Sequence, residues 1–430
     1  MNYQDRLLKV IPGGAHTYSR GYDQYPSNAP QILKKGKGAY IYDDKENRYL
    51  DYGMALRAVN LGYANEQVNN AAIEQINNGN NLTRASMVEL ESAELLVDMI
   101  PSIDMVKFTK NGSTATTAAV KLSRAYTKRT LVARCEEHPF FSYDDWFIGS
   151  TNITKGINKE DTLNTKLFNY NNIQSLEKLF NEFPNQIACV ILEPASTEHP
   201  KDNFLHKVKE LCKKNGAVFI LDEMITGFRW DIQGASKYYD IEPDIVTFGK
   251  AMANGFSVAC VAGRKEIMSL GSIEEIGAER LFLLSTTHGA EMSGLGAFIE
   301  TMKFLKENNV IEHLWRYGKD LITMMNHLAK EFDISKNFVA GGIECSPYYL
   351  TFDKDGNHCL GLRTLFSQEM IKNGVFMPWI ALSYAHTSIE LEITKQALRK
   401  TLEVYKKAVE DGYENYLVGD VIKPVFRKYN

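Results

Sequence analysis

The sequence predicts an α/β protein built on a mainly parallel sheet, and three observations carry that expectation. From about residue 70 onward, helical periodicity alternates with short apolar runs, the signature of helices and strands taken in turn. Runs such as QIACVILEP and AVFILDE are so apolar that they read as buried strands rather than half-wet ones. At 430 residues and 44% hydrophobic composition, the chain exceeds one ordinary domain and suits a large domain plus a smaller one.

In chain order, residues 1–60 form an N-terminal arm and part of a smaller α+β domain. Within it, KKGKGAYIYDDKENRYLDYG alternates apolar residues around DDKEN and predicts a hairpin. Residues 61–300 form the large domain. Helices are expected at NNAAIEQI, ELESAELLVDMI, TATTAAVKLSRAYT and HKVKELCKKNG, and strands at MVKFT, TLVARC, QIACVILEP, AVFILDE and DIVTFG. Residues 301–430 complete the smaller domain, with long helices at IETMKFLKENN and ITKQALRKTLEVYKKAV around a strand at YYLTFD.

Composition excludes several classes of function. A net charge of -4 with acids and bases interspersed offers no basic face for nucleic acid or anionic lipid. The N-terminus MNYQDRLLKVIPGG lacks a signal-peptide core, and no run approaches the roughly 18 apolar residues of a membrane span. A cytoplasmic protein is expected. Cys135, Cys189, Cys212, Cys260, Cys345 and Cys359 show no metal-ligand spacing and read as buried reduced thiols, so neither a metal nor a disulfide is expected.

The chemistry is expected at the C-terminal ends of the strands, where open parallel sheets bind ligands. After MVKFT, Gly112, Ser113 and Thr114 open a helix, and its amides and hydroxyls suit a phosphate. An ordinary N-cap would read the same way. After AVFILDE, Asp222 and Glu223 end a buried strand, where a carboxylate needs a cation or a protonated heterocycle. Alternatively, Asp222 caps the following turn and Arg229 pairs with one of the acids. After DIVTFG, Lys250 stands among small residues. A lone lysine there is usually solvated, but the combination changes its meaning. An amine to form an imine with an aldehyde, a carboxylate to keep a pyridine nitrogen protonated and a helix N-terminus for a phosphate are what pyridoxal 5'-phosphate (PLP) requires.

The motifs GKGAYIYDDKENRYLDY, NGSTATTAAVKLSRAYT, ILDEMITGFR, FGKAMANGFSVACVAGRKEIM and STTHGAEMSG, in that order, resemble the class III PLP-dependent aminotransferases, and within them the glutamate-1-semialdehyde 2,1-aminomutase family. The resemblance implies the fold type I architecture, a large domain with a mainly parallel seven-stranded sheet between helices. It implies Lys250 as the cofactor-binding lysine, Asp222 as the pyridinium partner, Met224 against one ring face and Gly112, Ser113 and Thr114 as the phosphate loop. Glu193 matches a strand-end glutamate near the cofactor. Thr287 matches a threonine that reaches the neighbouring subunit's cofactor phosphate, which implies a homodimer. Arg20 matches an arm arginine that receives the substrate carboxylate.

Departures from the aminomutase pattern concern the substrate more than the cofactor. HPFFSYDDWF stands where a tyrosine, histidine and glycine are expected, so Phe140 is the candidate ring-stacking group. In DYGMALRAVNLGY, Leu56 replaces a tryptophan and Arg57 adds a cation, shaping the pocket for something larger or more anionic. The aminomutase's phenylalanine-glutamate-alanine-glycine run is missing near FMPWIALSYAHTSIELEI, where Trp379 and His386 are candidates to line the site instead, although a histidine and a tryptophan before a helix are more often packing and capping groups. These features leave three readings. One is an aminotransferase moving nitrogen from an amino acid such as glutamate to a carbonyl acceptor, for example a keto or aldehyde sugar. A second is the aminomutase that makes 5-aminolevulinate. The third is an inactive scaffold acting as a binding protein.

Overall fold

The computed structural model describes residues 2–430. They form two compact units, Met1–Asn65 with Glu312–Arg427, and Glu66–Ile311 with Lys428–Asn430. In chain order the strands are β1 Leu33–Lys37, β2 Tyr40–Asp43, β3 Arg48–Asp51, β4 Met105–Thr109, β5 Leu131–Cys135, β6 Thr165–Phe168, β7 Ile187–Leu192, β8 Val218–Glu223, β9 Ile245–Phe248, β10 Ala259–Gly263, β11 Phe338–Ile343, β12 Ser346–Thr351 and β13 Val375–Phe376.

In the second unit, seven strands form one sheet in the order β4-β10-β9-β8-β7-β5-β6. Strands β6, β5, β7, β8 and β9 run parallel, and β10 alone is antiparallel to both of its neighbours. The reversal has a chain-length cause. Between Phe248 and Ala259 there is less chain than the dozen or so residues that a parallel crossover needs, so β10 returns beside β9 in the opposite sense. Every residue of β7 and β8 is buried, which is why these runs carry no polar alternation. One sheet face, with Cys135, Val190, Leu192, Phe219 and Leu221, packs on Leu205, Val208 and Cys212 of the helix Phe204–Asn215. The helix Gly112–Thr127 lies against β7, β9 and β10, and its buried Ala115, Ala118 and Ala119 let it approach closely.

In the first unit, β1, β2 and β3 are antiparallel and β13 adds to β3 in parallel; β11 and β12 form a separate hairpin. The predicted DDKEN hairpin is closed by Asp43, whose carboxylate accepts from the amides of Lys45 and Asn47 and from the Asn47 side chain. The long helix Ser388–Asp411 begins with a capping box between Thr387 and Glu390. All six cysteines are free thiols. Cys359 departs from the expected burial, standing half-buried because its Sγ accepts from Leu362 N at the start of the helix Leu360–Lys372. Among the described residues no helix is long and apolar enough to cross a membrane.

Candidate active site

Three strand ends of the second unit meet around one methionine. A Cβ placed on Gly112 would lie 2.8 Å from the Met224 Sδ, and one on Gly249 only 2.6 Å from it. Met224, directly after β8, therefore touches both the start of the helix Gly112–Thr127 and the residue that precedes Lys250. A side chain at either glycine would displace the Met224 thioether.

Asp222 is buried at the end of β8, paired in register with Thr247 of β9. Its Oδ1 accepts from the Met224 amide at 3.0 Å and from the Thr247 hydroxyl at 2.9 Å. Burial pushes the carboxyl up to about 6, against the pull of the Lys250 charge and of these two hydrogen bonds. Asp222 does cap its own turn, as the plainer expectation held, but both donors address a single oxygen. Glu223 has another task. It accepts from Thr226 Oγ1 at 3.0 Å and from the amides of Ala235 and Ser236 at 2.6 and 2.8 Å, closing the start of the short helix Ala235–Tyr238. Arg229, also buried, donates to the Ile225 carbonyl.

Lys250 opens a 3-10 turn, Lys250–Ala253, at a φ of 44°. For an L-residue this left-handed conformation costs roughly 1–2 kcal/mol. The turn is held because its other three residues, Ala251, Met252 and Ala253, are completely buried. The lysine itself is half-buried, and its charge is felt at Asp222.

At the start of the helix Gly112–Thr127 the N-cap is Asn111, not Ser113 or Thr114. Its Oδ1 accepts from the Thr114 amide at 2.9 Å and from the Thr114 hydroxyl at 3.0 Å. The cap thus addresses the third amide of the turn, and those of Gly112 and Ser113 precede it. The Ser113 hydroxyl accepts from Tyr143 N at 3.2 Å, which ties the loop after β5 to this end. In that loop Phe140 is 47% exposed and stands edge-on to Phe147, whereas Phe141 is buried. Glu193 lies one residue beyond the paired Leu192 and Leu221, in the same row as Asp222, and is buried. Its amide donates to the buried His138 Nδ1 at 3.0 Å, and burial keeps that imidazole neutral by lowering its pKa to about 3. Thr287 is exposed, and its carbonyl accepts from Asn81 at 3.1 Å.

Arg20 and Arg57 belong to the first unit. Arg20 ends the 3-10 turn Tyr18–Arg20 and lines a cavity of about 560 Å³ together with Tyr25, Asp51, Leu56, Tyr63 and Trp379. Trp379 also donates to the Gly53 carbonyl at 3.1 Å. For His386 the plainer of its two readings holds. It is fully buried, stacked between Tyr52 and Tyr317, with Nε2 on the Asp51 carbonyl, so it is a packing group. Four consecutive residues, Met54, Ala55, Leu56 and Arg57, have positive φ values of 39°, 47°, 62° and 69°, a left-handed bend with no glycine in it. Asp51 holds this bend by accepting from Gly53 N at 2.6 Å, Met54 N at 3.0 Å and the Tyr63 hydroxyl at 2.6 Å, while that hydroxyl accepts from Ala55 N at 2.8 Å.

From sequence, two supporting residues went unnoticed. Asn111 carries the usual N-cap side chain directly before the helix. Thr247 is the one polar residue within the apolar run of β9, and its partner is visible only once β8 and β9 are paired.

The pattern of the family "Aminotransferase class-III" matches residues 22–409. Glutamate-1-semialdehyde 2,1-aminomutase from Francisella philomiragia is 30% identical, over 94% of this chain and 96% of that one. 3-Aminobutyryl-CoA aminotransferase from Cloacimonas acidaminovorans is 29% identical, over 95% and 97%. The FumI protein of Sphingopyxis sp. MTA144, solved with PLP, superposes with a TM-score of 0.85 at 25% identity, covering 96% of this chain and 97% of its own. An omega-transaminase from Sphaerobacter thermophilus shares the fold at a TM-score of 0.84 and 23% identity, over 94% and 97%. The chain belongs to the class III aminotransferases, enzymes of fold type I that work with pyridoxal 5'-phosphate.

Proposed function

We propose that this protein is an aminotransferase that takes nitrogen from an amino acid, glutamate in the first instance, and delivers it to a carbonyl acceptor bearing a negative charge, such as a keto or aldehyde sugar acid. The observation that carries the reading is the convergence of Lys250, Asp222 and the start of the helix Gly112–Thr127 around Met224. These residues fit the cofactor. A buried carboxylate at the end of a central strand is costly unless a positive partner meets it, and a protonated ring nitrogen is such a partner. A half-buried lysine supplies the amine, and the amides of Gly112 and Ser113, with the Ser113 and Thr114 side chains, suit a phosphate.

When bound, PLP supplies an aldehyde that takes up amines and a ring that accepts electron density from a deprotonated carbon. Asp222 keeps the proton on the ring nitrogen, with Thr247 and the Met224 amide fixing its orientation through Oδ1. Met224 would support one ring face, Phe140 would cover the other and Glu193 would border the ring. Lys250 Nζ would be the amine that holds the cofactor. Once freed, the same amine would carry the proton between the substrate carbon and the carbon on the far side of the transferred nitrogen, base first and acid second. Arg20 receives the donor carboxylate, and Arg57 adds a second cation for the acceptor. Thr287 completes the neighbouring subunit's phosphate site in a homodimer.

A second reading, glutamate-1-semialdehyde aminomutase, is favoured by the names of the 30–31% identical relatives. The relatives do not speak with one voice, since a CoA-ester aminotransferase matches at 29%. The assay that divides them supplies glutamate-1-semialdehyde with no other amino donor. Formation of 5-aminolevulinate at useful rates establishes the aminomutase. Its absence, with glutamate-dependent amination of a charged carbonyl compound, establishes the aminotransferase. Absence of both, and of the yellow cofactor band, returns the protein to the inactive-scaffold reading.

A further inference from the structure

We infer that Asp23 and Arg427 form a clasp by which the C-terminal tail sets the position of the arm that carries Arg20; its effect on substrate rests on the role proposed for Arg20. The tail lies beyond the stretch matched by the family, and after the turn Tyr413–Asn415 it contains no helix or strand. It is nevertheless tied down along its length. Gln368, buried on the helix Leu360–Lys372, donates to the Tyr416 carbonyl and accepts from Val418 N, both at 2.9 Å, and Thr364 Oγ1 accepts from Ile422 N at 3.1 Å. The tail then reaches the arm. Lys423 N donates to the Asp23 carbonyl at 2.9 Å, Gln24 Nε2 donates to the Lys423 carbonyl at 3.0 Å, and Arg427 Nη2 donates to Asp23 Oδ2 at 2.5 Å. Arg427 is oriented for this by its own bond to the Pro424 carbonyl at 2.8 Å.

The arm end of the clasp is three residues from Arg20. The turns Tyr18–Arg20 and Tyr22–Gln24 meet at Gly21, and the Tyr25 hydroxyl reaches back to the Ser19 carbonyl at 2.9 Å. Asn28, a little further on, donates to the Gln368 carbonyl at 2.9 Å, so one residue of the helix anchors both the tail and the arm. A segment of 3-10 turns has little stability of its own and is held where its neighbours hold it. The Asp23–Arg427 pair is only a quarter exposed, with side-chain exposures of 20% and 26%, and is shielded more than a surface pair. Asp23 and Arg427 are thus positioning residues for Arg20.

The test compares Arg427→Ala, Arg20→Ala, the two combined, and the charge-swapped pair Asp23→Arg with Arg427→Asp, all in the PLP-loaded full chain. Two readouts are used: hydrogen exchange of residues 15–28, and single-turnover consumption of the yellow cofactor band against glutamate concentration. R427A should speed exchange of the arm and raise the half-saturating glutamate concentration about 5- to 10-fold with the limiting rate within about twofold. It should add nothing further to R20A, and the charge swap should restore both readouts. Unchanged exchange in R427A overturns the clasp. Faster exchange with normal saturation in R427A, when R20A saturates poorly, overturns its effect on substrate. If R20A itself saturates like the wild type while R427A frees the arm, the clasp stands and the role given to Arg20 falls.

Discussion

Replacing Asp222 with asparagine should make the apoprotein more stable while removing its grip on the cofactor. The magnitude follows from the carboxyl's burial, which raises its pKa from 3.8 to about 6. Because the folded value is the higher one, the group's contribution is fully present below pH 3.8 and is lost as pH rises through 6. Two units at 1.36 kcal/mol each come to about 3 kcal/mol of destabilisation at pH 7.5, and to about half that at pH 5.0, where ionisation in the fold is incomplete. Asparagine keeps an Oδ1 to accept from Met224 N and Thr247 and carries no charge to bury. At about 2 °C per kcal/mol for a unit of this size, the D222N apoprotein should melt about 6 °C higher than the wild type at pH 7.5, with about half that offset at pH 5.0. Calorimetry of both apoproteins at both pH values measures this. Added PLP should raise the melting temperature of the wild type and leave that of the variant nearly unmoved. A variant that melts at or below the wild type at pH 7.5, or with the same offset at both pH values, refutes the account of Asp222 as a strained, ligand-awaiting anion.

Other consequences are as direct. Borohydride treatment of the yellow holoprotein should fix the cofactor on Lys250 alone by peptide mass spectrometry, and Lys250→Ala should lose the yellow band and turnover while keeping its melting curve. Gly249→Ala puts a methyl group 2.6 Å from the Met224 Sδ, so the thioether must swing away. Its stability should fall by only about 1–3 kcal/mol, whereas PLP affinity, followed by fluorescence quenching, should drop at least about tenfold. His386, whose pKa burial lowers from 6.5 to about 4, contributes stability above pH 6.5 that fades as the pH falls towards 4, to a limit of about 3 kcal/mol. Its imidazole resonances should therefore stay in the neutral position down to about pH 5 in a histidine NMR titration.

The large unit was legible because its strands are covered on both faces. Apolar runs such as Ile187–Leu192 and Val218–Glu223 announce themselves without any partner in view. Lys250 and Asp222 stood out for the complementary reason that charge at the end of such a run is expensive. What escaped notice depends on pairing. Strand β10 is absent from the expected strands, and its reversed direction follows from the short link after β9. The use of Glu223 as a cap for Ala235 and Ser236 is a contact across a loop, invisible in the dipeptide that it shares with Asp222. Local propensity also misleads at Met54–Arg57, where MALR favours an ordinary helical turn and Asp51 with Tyr63 imposes the opposite hand. His386, before a helix, reads either as a site residue or as a packing group, and only its stacking on Tyr52 and Tyr317 decides for packing.

That reversed turn also narrows the mutational routes open to descendants of this gene. Glycine, asparagine and aspartate enter such backbone geometry cheaply, whereas valine, isoleucine and threonine pay a steep steric toll. Drift at positions 54–57 should therefore be channelled towards small or amide-bearing replacements, and any bulky branched newcomer should arrive together with a change at Asp51 or Tyr63 that releases the bend.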